Sequence, residues 1–293
     1  MEFLRTVLEQ YRIIEQRHKF FRCHGYRLDL DNPVSYNEKI MWRKIFDRNP
    51  LFPVLADKYA ARGYVVETLG KDSGEGILVP LLFVTQDPAE IPFEDLPEEY
   101  IVKPNHGSGW SIIVDKEHRV PCERIVSQCR KWLRKTYGRS KMEWGYSGVK
   151  PRIMVEKLLR DGQGKLAPDF KFYVFNGNVR MVYVLYDRFG TSTEAFYDRN
   201  FKRLKVNTRF SDGPEIIEPG NFHTMIEISE KLALKLDFLR VDLYDVDGRI
   251  FFGEFTLYPA SGFYRYDPVG FERELGKSWY LNREHVRDFR PWL

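Results

Sequence analysis

Apolar residues recur at helical spacing near the start of the chain. Residues 3–22 predict an amphipathic helix, with apolar positions at Phe3, Leu4, Val7, Leu8, Tyr11 and Ile14. Ser35 precedes Glu38 by three residues, a capping-box pattern that begins a second helix ending near Ile45. Further helices are predicted over 54–63, 123–137 and 222–236. The first of these three carries Asp57 and Lys58.

Short runs of apolar and β-branched residues predict strands in much of the remaining chain. These runs cover 77–84, 100–103, 111–114, 153–155, 170–175 and 179–186. A loop is predicted at 92–97, an exposed loop at 138–150, and strand with loop over 198–221. Asn176-Gly177 joins the last two runs, and an Asn-Gly pair between apolar runs is the strongest short-range hairpin signal. The pattern therefore indicates a chain that mixes helices and sheets.

The segment 238–256 predicts two strands around a turn, in one of two registers. A two-residue turn at Asp247-Gly248 places Asp242 and Glu254 on opposite faces. A three-residue loop, with Gly248 in the left-handed conformation, gives a different set of pairs. These are Asp245 with Arg249, Arg240 with Glu254, and Phe238 with Thr256.

The three-residue loop sorts the side chains of this hairpin by polarity. Its apolar face holds Leu239, Val241, Leu243, Phe251, Gly253 and Phe255. The other face holds Arg240, Asp242, Tyr244, Phe252, Glu254 and Thr256. Because burial of the apolar face fixes the register, we expect this second arrangement. Two carboxylates with open oxygen positions on one surface suit Mg²⁺, and a surface ladder of ion pairs is the alternative interpretation.

The composition is that of an ordinary globular protein. The chain has 293 residues, of which 43% are hydrophobic and 30% charged, enough for about two domains. The net charge of +4 comes from scattered basic residues, whereas nucleic-acid-binding proteins more often show a basic stripe. Three cysteines without a CxxC pair predict neither a disulfide framework nor a zinc site. We therefore expect a protein of the reducing cytoplasm. No run reaches the ~18 apolar residues of a membrane span, so we expect a soluble cytoplasmic protein that binds no nucleic acid.

A glycine-rich loop follows one predicted strand. Lys103 lies at the end of that strand, and His106-Gly107-Ser108-Gly109 comes directly after it. Glycines let backbone N–H groups approach phosphate oxygens closely, and lysine supplies a point charge. The spacing differs from both GxxxxGK[ST] and GxGxxG, which argues against the two folds that carry those motifs.

The order of these motifs resembles that of ATP-grasp carboxylate–amine ligases, of which D-alanine–D-alanine ligase is the best known. The motifs are Asp57-Lys58, IVKP with HGSG, MVEKLL, PDFKFYV and RVDLYDVDGRIFFGEFTLYPASG. More closely, the chain resembles the ATP-grasp family named for teichuronopeptide biosynthesis, which occurs with bacterial capsule and exopolysaccharide genes. SYNEKI, DRNPLFPVLADKYAARGYV, DFKFYVFNG and FGEFTLYPASGF carry this closer match, which covers the chain from about Ser35 to about Gly276.

The resemblance implies an α+β ATP-grasp fold, in which two α+β lobes with antiparallel sheets clamp ATP. It divides the chain into a helical N-terminal region (1–50), a small lobe with the phosphate-covering loop (51–155) and a C-terminal lobe with the metal and substrate sites (156–293). Amino-acid ligases of this superfamily usually carry a full N-terminal domain for the acceptor, which about 50 residues cannot form. Candidates to hold an anionic or sugar substrate instead are Lys171, Arg180, Arg188, Tyr258, Tyr264 and Arg265.

The resemblance also implies roles around ATP. Lys58 and Lys103 match the two lysines aimed at the nucleotide phosphates. The mobile loop over the β- and γ-phosphates matches His106, Gly107, Ser108 and Gly109. The hinge that meets adenine matches Glu156, Lys157 and Leu158. Asp169 matches the acid that accepts hydrogen bonds from the ribose hydroxyls. Lys171 is also predicted to bind the nucleotide.

Three residues of the hairpin are the predicted metal ligands. Asp242 and Glu254 match the family's Mg²⁺ carboxylates, and Thr256 stands where the family often has Asn. Arg240 matches the arginine that stabilises the acyl-phosphate and tetrahedral states, so Arg240 and Lys103 are the predicted catalytic residues. An ion pair between Arg240 and Glu254 is compatible with that role.

The resemblance implies an ATP- and Mg²⁺-dependent ligase that forms an amide through an acyl-phosphate. It would join an amino acid or amine to a uronic acid or amino acid, free or glycan-linked, in bacterial polysaccharide or peptide biosynthesis. The alternative is a kinase of the same fold that phosphorylates a sugar or polyol. A nucleotide-binding module without turnover is disfavoured by Lys103, Asp242 and Glu254. A glycosyltransferase with a metal motif at 245–247 is disfavoured because that segment predicts a turn.

Overall fold

The computed structural model describes residues 2–187 and 190–286, with side chains from Val7 onward, so Arg188 lies outside the described residues. The helices of this part are α1 (Glu2–His24), α2 (Tyr36–Phe46), α3 (Phe52–Ala56), α4 (Ala60–Leu69), α5 (Lys71–Gly76), α6 (Cys122–Leu133), α7 (Phe222–Ala233) and α8 (Phe271–Lys277). The strands are β1 (Leu81–Thr85), β2 (Tyr100–Pro104), β3 (Ile112–Val114), β4 (Ile153–Lys157), β5 (Asp169–Phe175), β6 (Asn178–Tyr186), β7 (Thr193–Tyr197), β8 (Arg203–Leu204), β9 (Ser211–Asp212), β10 (Phe238–Val246) and β11 (Arg249–Thr256).

Four strands form a small antiparallel sheet in the order β1-β4-β2-β3. Helix α6 packs on it through Ile125, Cys129 and Trp132, which are buried and recur at helical spacing. The neighbouring strands β2 and β4 carry Lys103 and Glu156. The small sheet therefore holds two of the predicted nucleotide residues side by side.

Seven strands form a larger sheet in the order β11-β10-β5-β6-β7-β8, with β9 paired to β7. One face packs against α7, where the rings of Phe172 and Phe222 lie 6.1 Å apart between centroids. Because side chains alternate along a strand, the intervening residues point to the opposite face. On β5 and β10 these are Asp169, Lys171, Tyr173, Arg240 and Asp242. The large sheet is thus apolar towards α7 and polar on its other side.

Helices α1 and α2 pack together near the large sheet. The hydroxyl of Ser35 accepts from the backbone N–H of Glu38 at 3.2 Å, and the Glu38 carboxylate accepts from the Ser35 N–H at 2.9 Å. The predicted capping box is therefore confirmed. Arg43 of α2 is fully buried, where it donates to the carbonyl of Phe238 at 2.8 Å and pairs with Asp237. This ion pair fastens α2 to the start of β10.

Three local predictions are wrong. The helix predicted over 54–63 is broken between α3 and α4, because Asp57 is extended and its carboxylate accepts from the N–H groups of Tyr59 and Ala60. The strand predicted over 77–84 begins only at Leu81, after α5. The loop predicted to be exposed at 138–150 buries Glu143.

The Asn176-Gly177 hairpin is confirmed. Both residues have positive φ, 45° and 77°, as a two-residue turn between twisted strands requires. Phe175 and Asn178 face each other across it.

The register chosen for the second hairpin is wrong. The turn has two residues, Asp247 and Gly248, and pairs Val246 with Arg249 rather than Asp245 with Arg249. A bulge follows, with Gly253 as the extra residue between the pairs Leu243–Phe252 and Asp242–Glu254. Arg240 consequently faces Thr256, not Glu254, and Phe238 does not face Thr256.

The bulge also corrects the predicted faces. Phe252 lies opposite Leu243 on the apolar face, where its ring is 4.6 Å from that of Phe255. Phe251 lies opposite Tyr244 on the other face. The two phenylalanines thus exchange the places predicted for them. Asp242 and Glu254 nevertheless share the polar face, as predicted, because the bulge changes the parity of β11.

Helices long and apolar enough to cross a membrane are absent from the part of the chain that the structure describes.

Candidate active site

A row of three charged side chains crosses the polar face of the large sheet. Asp242 on β10 lies opposite Lys171 on β5 and opposite Glu254 on β11. Side chains that face each other across antiparallel strands have Cβ atoms roughly 4.5–5.5 Å apart. The sheet therefore brings together three residues that lie as much as 83 positions apart in the sequence, from 171 to 254.

Asp242 is the centre of an ionic cluster and is only 1% exposed. Arg240 donates to both of its oxygens, from Nε at 2.7 Å and from Nη2 at 2.6 Å. Lys171 donates to the same carboxylate at 3.2 Å and also pairs with Asp169. Burial raises the pKa of Asp242, and the charges of Arg240 and Lys171 act in the opposite direction. Two cations thus compensate this buried carboxylate.

Glu254 is paired with cations from two different parts of the chain. Its Oε2 lies 3.2 Å from Nζ of Lys58, and its Oε1 lies 3.7 Å from Nη2 of Arg240. Lys58 also donates to the carbonyl of Gly107 at 2.5 Å. Lys58 therefore connects β11 with the glycine-rich loop after β2.

The break between α3 and α4 places Lys58 in this position. The Asp57 carboxylate accepts from the backbone N–H groups of Tyr59 and Ala60 at the start of α4, and from the side-chain amide of Asn105 at 2.8 Å. The backbone N–H of Lys58 donates to the carbonyl of Asn105 at 2.9 Å. Asn105 is fully buried. The local error in the predicted helix therefore coincides with a predicted site residue, because a continuous helix would not direct Lys58 towards Glu254 and Gly107.

The glycine-rich loop has one buried end and one end in the cleft. Gly107 has φ +90°, and a Cβ there would lie 3.0 Å from the ring of Trp110 and 3.1 Å from that of Tyr137. Ser108 and Gly109 are exposed and line a large cleft. Two residues of the loop, Ser108 and Gly109, therefore line the cleft, and a phosphate-binding role of this segment stays a prediction.

His106 does not point into this cleft. Its ring is 3% exposed, and Nε2 lies 3.2 Å from the carbonyl oxygens of Trp132 and Lys135 at the end of α6. Burial lowers the pKa of His106, and the two carbonyls oppose that effect. The side chain thus anchors the loop to α6, while the part that reaches the cleft is Ser108-Gly109.

A second, apolar pocket lies between the two sheets. Lys103 and Glu156 form an ion pair at 2.6 Å in its wall, and Arg62 of α4 holds the other Glu156 oxygen at 3.4 Å. The pocket is lined by Val79, Ile101, Lys103, Glu156, Lys157, Leu158, Leu159, Leu166, Ala167, Asp169, Asp187, Tyr244 and Gly253. The predicted adenine and ribose residues therefore lie together in one pocket.

The large cleft adjoins this pocket at the ionic row. Asp169 and Gly253 line the pocket, whereas Lys171 and Glu254, their near neighbours in sequence, line the cleft together with Thr256. The volume of the large cleft is about 1050 Å³. The cleft also contains Tyr258, Tyr264 and Arg265, three of the predicted substrate candidates. Arg180 does not line the cleft. This residue is exposed and lies beside the Asn176-Gly177 turn.

Sequence reasoning missed several residues in these walls or in contact with them. Arg62 has no motif signal of its own, although it follows Lys58 by four residues in a helical segment. Gly253 could have been noticed as a glycine inside a strand beside a predicted ligand, which often marks a bulge. Lys44 and Glu143 are polar and buried, and nothing local in the sequence indicates their burial.

The comparison with protein families decides the identity of this fold. The model of the TupA-like ATP-grasp family matches residues 38–280. The chain belongs to the TupA-like ATP-grasp family. The predicted ATP-grasp membership and α+β fold are thereby confirmed. No curated protein matches the chain.

Solved structures of ATP-grasp ligases are similar at low identity. The D-alanine–D-alanine ligase from Bacillus anthracis is 18% identical, with a TM-score of 0.42 over 70% of this chain and 57% of that chain. The L-amino acid ligase from Bacillus licheniformis is 16% identical, with a TM-score of 0.43 over 71% and 44%. The ligase PsnB, complexed with a minimal precursor, is 15% identical, with a TM-score of 0.39 over 71% and 53%. The chain thus spans about half the length of these proteins, and such values carry no argument about its activity.

The donor set of the hairpin is of the chemical kind that Mg²⁺ binds, and both oxygens of Asp242 accept from Arg240, one of them also from Lys171. Asp242 and Glu254 offer two facing carboxylates, and the hydroxyl of Thr256 is a further oxygen on the same face. Among residues 2–187 and 190–286, no group of three or more His, Cys, Asp or Glu side chains is arranged around a metal position. Mg²⁺ is commonly bound by one or two carboxylates, with phosphate and water oxygens completing the octahedron. The three predicted ligands are compatible with that form of coordination.

Proposed function

We propose that this member of the TupA-like ATP-grasp family is an ATP- and Mg²⁺-dependent carboxylate–amine ligase. The observation that supports it most is the row of Lys171, Asp242 and Glu254 where the apolar pocket meets the large cleft. The pocket would take adenine and ribose beside Glu156 and Asp169. The triphosphate would then extend along this row towards Ser108-Gly109.

The reaction needs charge neutralisation and no covalent enzyme nucleophile. The acid substrate attacks the γ-phosphorus of ATP, giving an acyl-phosphate and ADP, and the amine then displaces phosphate from the acyl carbon to form the amide. Lys58 and Lys103 would face the phosphates, and Arg240 would stabilise the negative charge of the acyl-phosphate and the tetrahedral state. When bound at Asp242 and Glu254, Mg²⁺ would neutralise phosphate charge.

Each of these three cations is held by a carboxylate. Lys58 lies beside Glu254, Lys103 beside Glu156, and Arg240 beside Asp242. Such pairs fix long side chains in place and reduce the ordering needed when a polyanion binds. This arrangement favours a role in catalysis over scattered surface charge.

The family resemblance suggests the substrates. A uronic acid or amino acid, free or glycan-linked, would be activated and joined to an amino acid or amine in bacterial polysaccharide or peptide synthesis. These identities are part of the proposal and rest on that resemblance alone.

A product assay tests the proposal. The chain would be incubated with ATP and MgCl₂ and with a matrix of uronic acids, amino acids and amines. Phosphate release would be measured, and products identified by mass spectrometry. We expect phosphate release that requires both an acid and an amine. A stable phosphorylated acceptor formed without amine would instead establish the alternative kinase.

A further inference from the structure

The outward side of helix α1 carries a stripe of exposed apolar side chains. Val7, Tyr11, Ile14 and Phe21 are between 48% and 67% exposed. Their spacing along the sequence places them within about 80° of one another around the helix axis, and exposed Leu8 borders them. We call these five residues the outer stripe.

The outer stripe is not the face by which α1 packs on its own chain. That contact is made by Ile13, Gln16 and Phe20, which are buried and lie on the opposite side of the helix. Gln16 donates to the carbonyl of Ser140 at 3.5 Å, and the ring of Phe20 lies 5.2 Å from that of Tyr26 between centroids. Helix α1 therefore has a second apolar face, which contributes nothing to the core of the described residues.

Exposed apolar side chains are ordinary on a protein surface when they are scattered. Among the described residues, twelve large hydrophobic side chains are exposed, and five of these form the outer stripe. The other seven are distributed between Val34 and Val286. The five in α1 lie within about four turns of one helix. The outer stripe is therefore a concentrated apolar surface, of the kind that marks an interaction site.

Basic residues border the outer stripe on both sides. Because successive residues are about 100° apart around a helix, Arg17 lies on one side of the stripe, and Arg12, Lys19 and Arg22 lie on the other. Arg17, Lys19 and Arg22 are exposed, and Arg12 is half-buried. Helix α1 thus combines an apolar strip with cationic margins.

Acidic residues of α1 do not balance these cations. Residues 7–24 contain two acids, Glu9 and Glu15. Glu15 borders the outer stripe and lies 2.7 Å from Nζ of Lys19. Glu9 precedes Ile13 by four residues and so lies on the side of α1 that faces the rest of the chain. The outward side of α1 therefore presents four basic residues and one acid, with exposed His18 between two members of the stripe.

We infer that the outer stripe docks α1 on the surface of a bilayer that contains anionic phospholipids. A helix that lies in the membrane interface buries an apolar face among the headgroups and acyl chains, while Lys and Arg at its margins meet the lipid phosphates. A second copy of the chain would also cover the apolar side chains, but it would bring an equal set of cations towards the first. An anionic lipid surface is complementary to those cations.

Docking through the outer stripe would also position the large cleft. Gln16 and Lys19 of α1 line that cleft, and Lys19 lies at the margin of the stripe. The cleft would therefore lie close to the membrane surface. The inference goes beyond the proposed function and does not depend on it, since it concerns the outward side of α1.

Flotation of the full chain with lipid vesicles tests this without turnover. The vesicles are of phosphatidylcholine alone, or of phosphatidylcholine mixed with phosphatidylglycerol. We expect at least about tenfold tighter binding to the anionic vesicles, because several Lys and Arg side chains would lie at the surface. The double variant Arg17→Gln/Arg22→Gln should lose most of this preference.

A second double variant tests the apolar part of the stripe. Tyr11→Gln/Ile14→Gln should bind the anionic vesicles at least about tenfold more weakly. Both side chains are exposed, so circular dichroism and urea unfolding without lipid should match the unaltered chain. Ile217→Gln/Leu234→Gln removes two exposed apolar side chains elsewhere and is the matched control, which should bind like the unaltered chain.

Three results would overturn the inference. The first is equal binding of the unaltered chain to neutral and anionic vesicles, or binding to neither. The second is undiminished binding by Tyr11→Gln/Ile14→Gln. The third is a dimer in light scattering that this variant converts to a monomer, because the outer stripe would then belong to an interface between two copies. Failure of the proposed function changes none of these measurements, since it is detected by the release of phosphate.

Discussion

Asp242 and Glu254 lie directly opposite each other because Gly253 is an extra residue in β11. The two-residue turn at Asp247-Gly248 alone would place the two carboxylates on opposite faces of the hairpin. The bulge shifts the register by one and returns Glu254 to the face of Asp242. One glycine therefore determines whether the two predicted metal ligands can act together.

Substitution of Gly253 should damage the site. A Cβ at this position would lie 2.9 Å from the ring of Tyr244 and 3.1 Å from the carbonyl of Asp242. We expect Gly253→Ala to lower the free energy of unfolding by about 1–3 kcal/mol and to weaken ATP binding, because the bulge borders the apolar pocket. Urea unfolding and a nucleotide titration measure the two effects. Gly220→Ala is the control, since a Cβ there meets no atom within 4 Å; equal behaviour of the two variants would contradict the role of the bulge.

Glu254→Gln should abolish turnover and leave the fold intact. The side chain of Glu254 is 18% exposed, so the amide can remain hydrated where the carboxylate was. Loss of a metal ligand removes several kcal/mol of transition-state stabilisation, and we expect turnover at least about 100-fold lower. Thermal unfolding with ATP, in the presence and absence of MgCl₂, provides a second measurement. We expect MgCl₂ to raise the melting temperature of Glu254→Gln by less than it raises that of the unaltered chain. Glu227→Gln, on the exposed side of α7, is the control. Unchanged turnover in Glu254→Gln would show that the metal lies elsewhere.

Arg240→Lys should lower turnover more than it changes the KM for ATP. Arg240 donates to both oxygens of Asp242, and a lysine cannot reproduce this two-pronged geometry. We expect kcat to fall at least about tenfold, because the proposed role is to stabilise charge that develops during the reaction. Steady-state kinetics checks this, with the exposed Arg180→Lys on β6 as the control. A change confined to the KM for ATP would assign Arg240 to nucleotide binding instead.

The buried ring of His106 predicts a pH dependence of stability. Its pKa is lowered in the folded chain, chiefly by burial, whereas the unfolded chain takes up the proton near the ordinary pKa of about 6.5. The unfolded state therefore binds more protons below that pH, and this contribution to stability decreases as pH falls through 6.5 towards the folded-state pKa. We expect the stability difference between the unaltered chain and His106→Gln to be smaller at pH 5.5 than at pH 7.5.

Urea unfolding at both pH values measures this difference, with His18→Gln on the exposed side of α1 as the matched control. A difference that grows as pH falls would mean that the folded chain favours the charged form of His106.

The features predicted correctly are those that a few neighbouring residues determine. The Ser35–Glu38 capping box and the Asn176-Gly177 turn depend on side chains and φ angles within four residues. The prediction that Asp242 and Glu254 share one face is correct, although the register from which it follows is wrong. The bulge that places them there depends on how Gly253 fits against Tyr244, which polarity alone does not reveal.

Other features depend on contacts between distant parts of the chain. Lys58 looks like an ordinary helical lysine in sequence, and its position follows from the contacts of Asp57 and Lys58 with Asn105, 47 or 48 residues later. Lys44 contacts Ser261, 217 residues away, and no periodicity marks it as buried. The residues predicted to surround ATP could therefore be grouped from motifs, whereas the contacts of α1 and α2 with the segment after β11 could not.

The bulge at Gly253 makes the hairpin unequally tolerant of changes in length. Residues added at the tip, between Asp247 and Gly248, leave every pair nearer the sheet unchanged, so peptide tags or sensor segments could be inserted there. A single residue gained or lost between Arg249 and Gly253 would reverse the parity of β11 and turn Glu254 away from Asp242. The tip is thus a site for engineering, whereas the segment 249–253 must keep its length for Glu254 to remain beside Asp242.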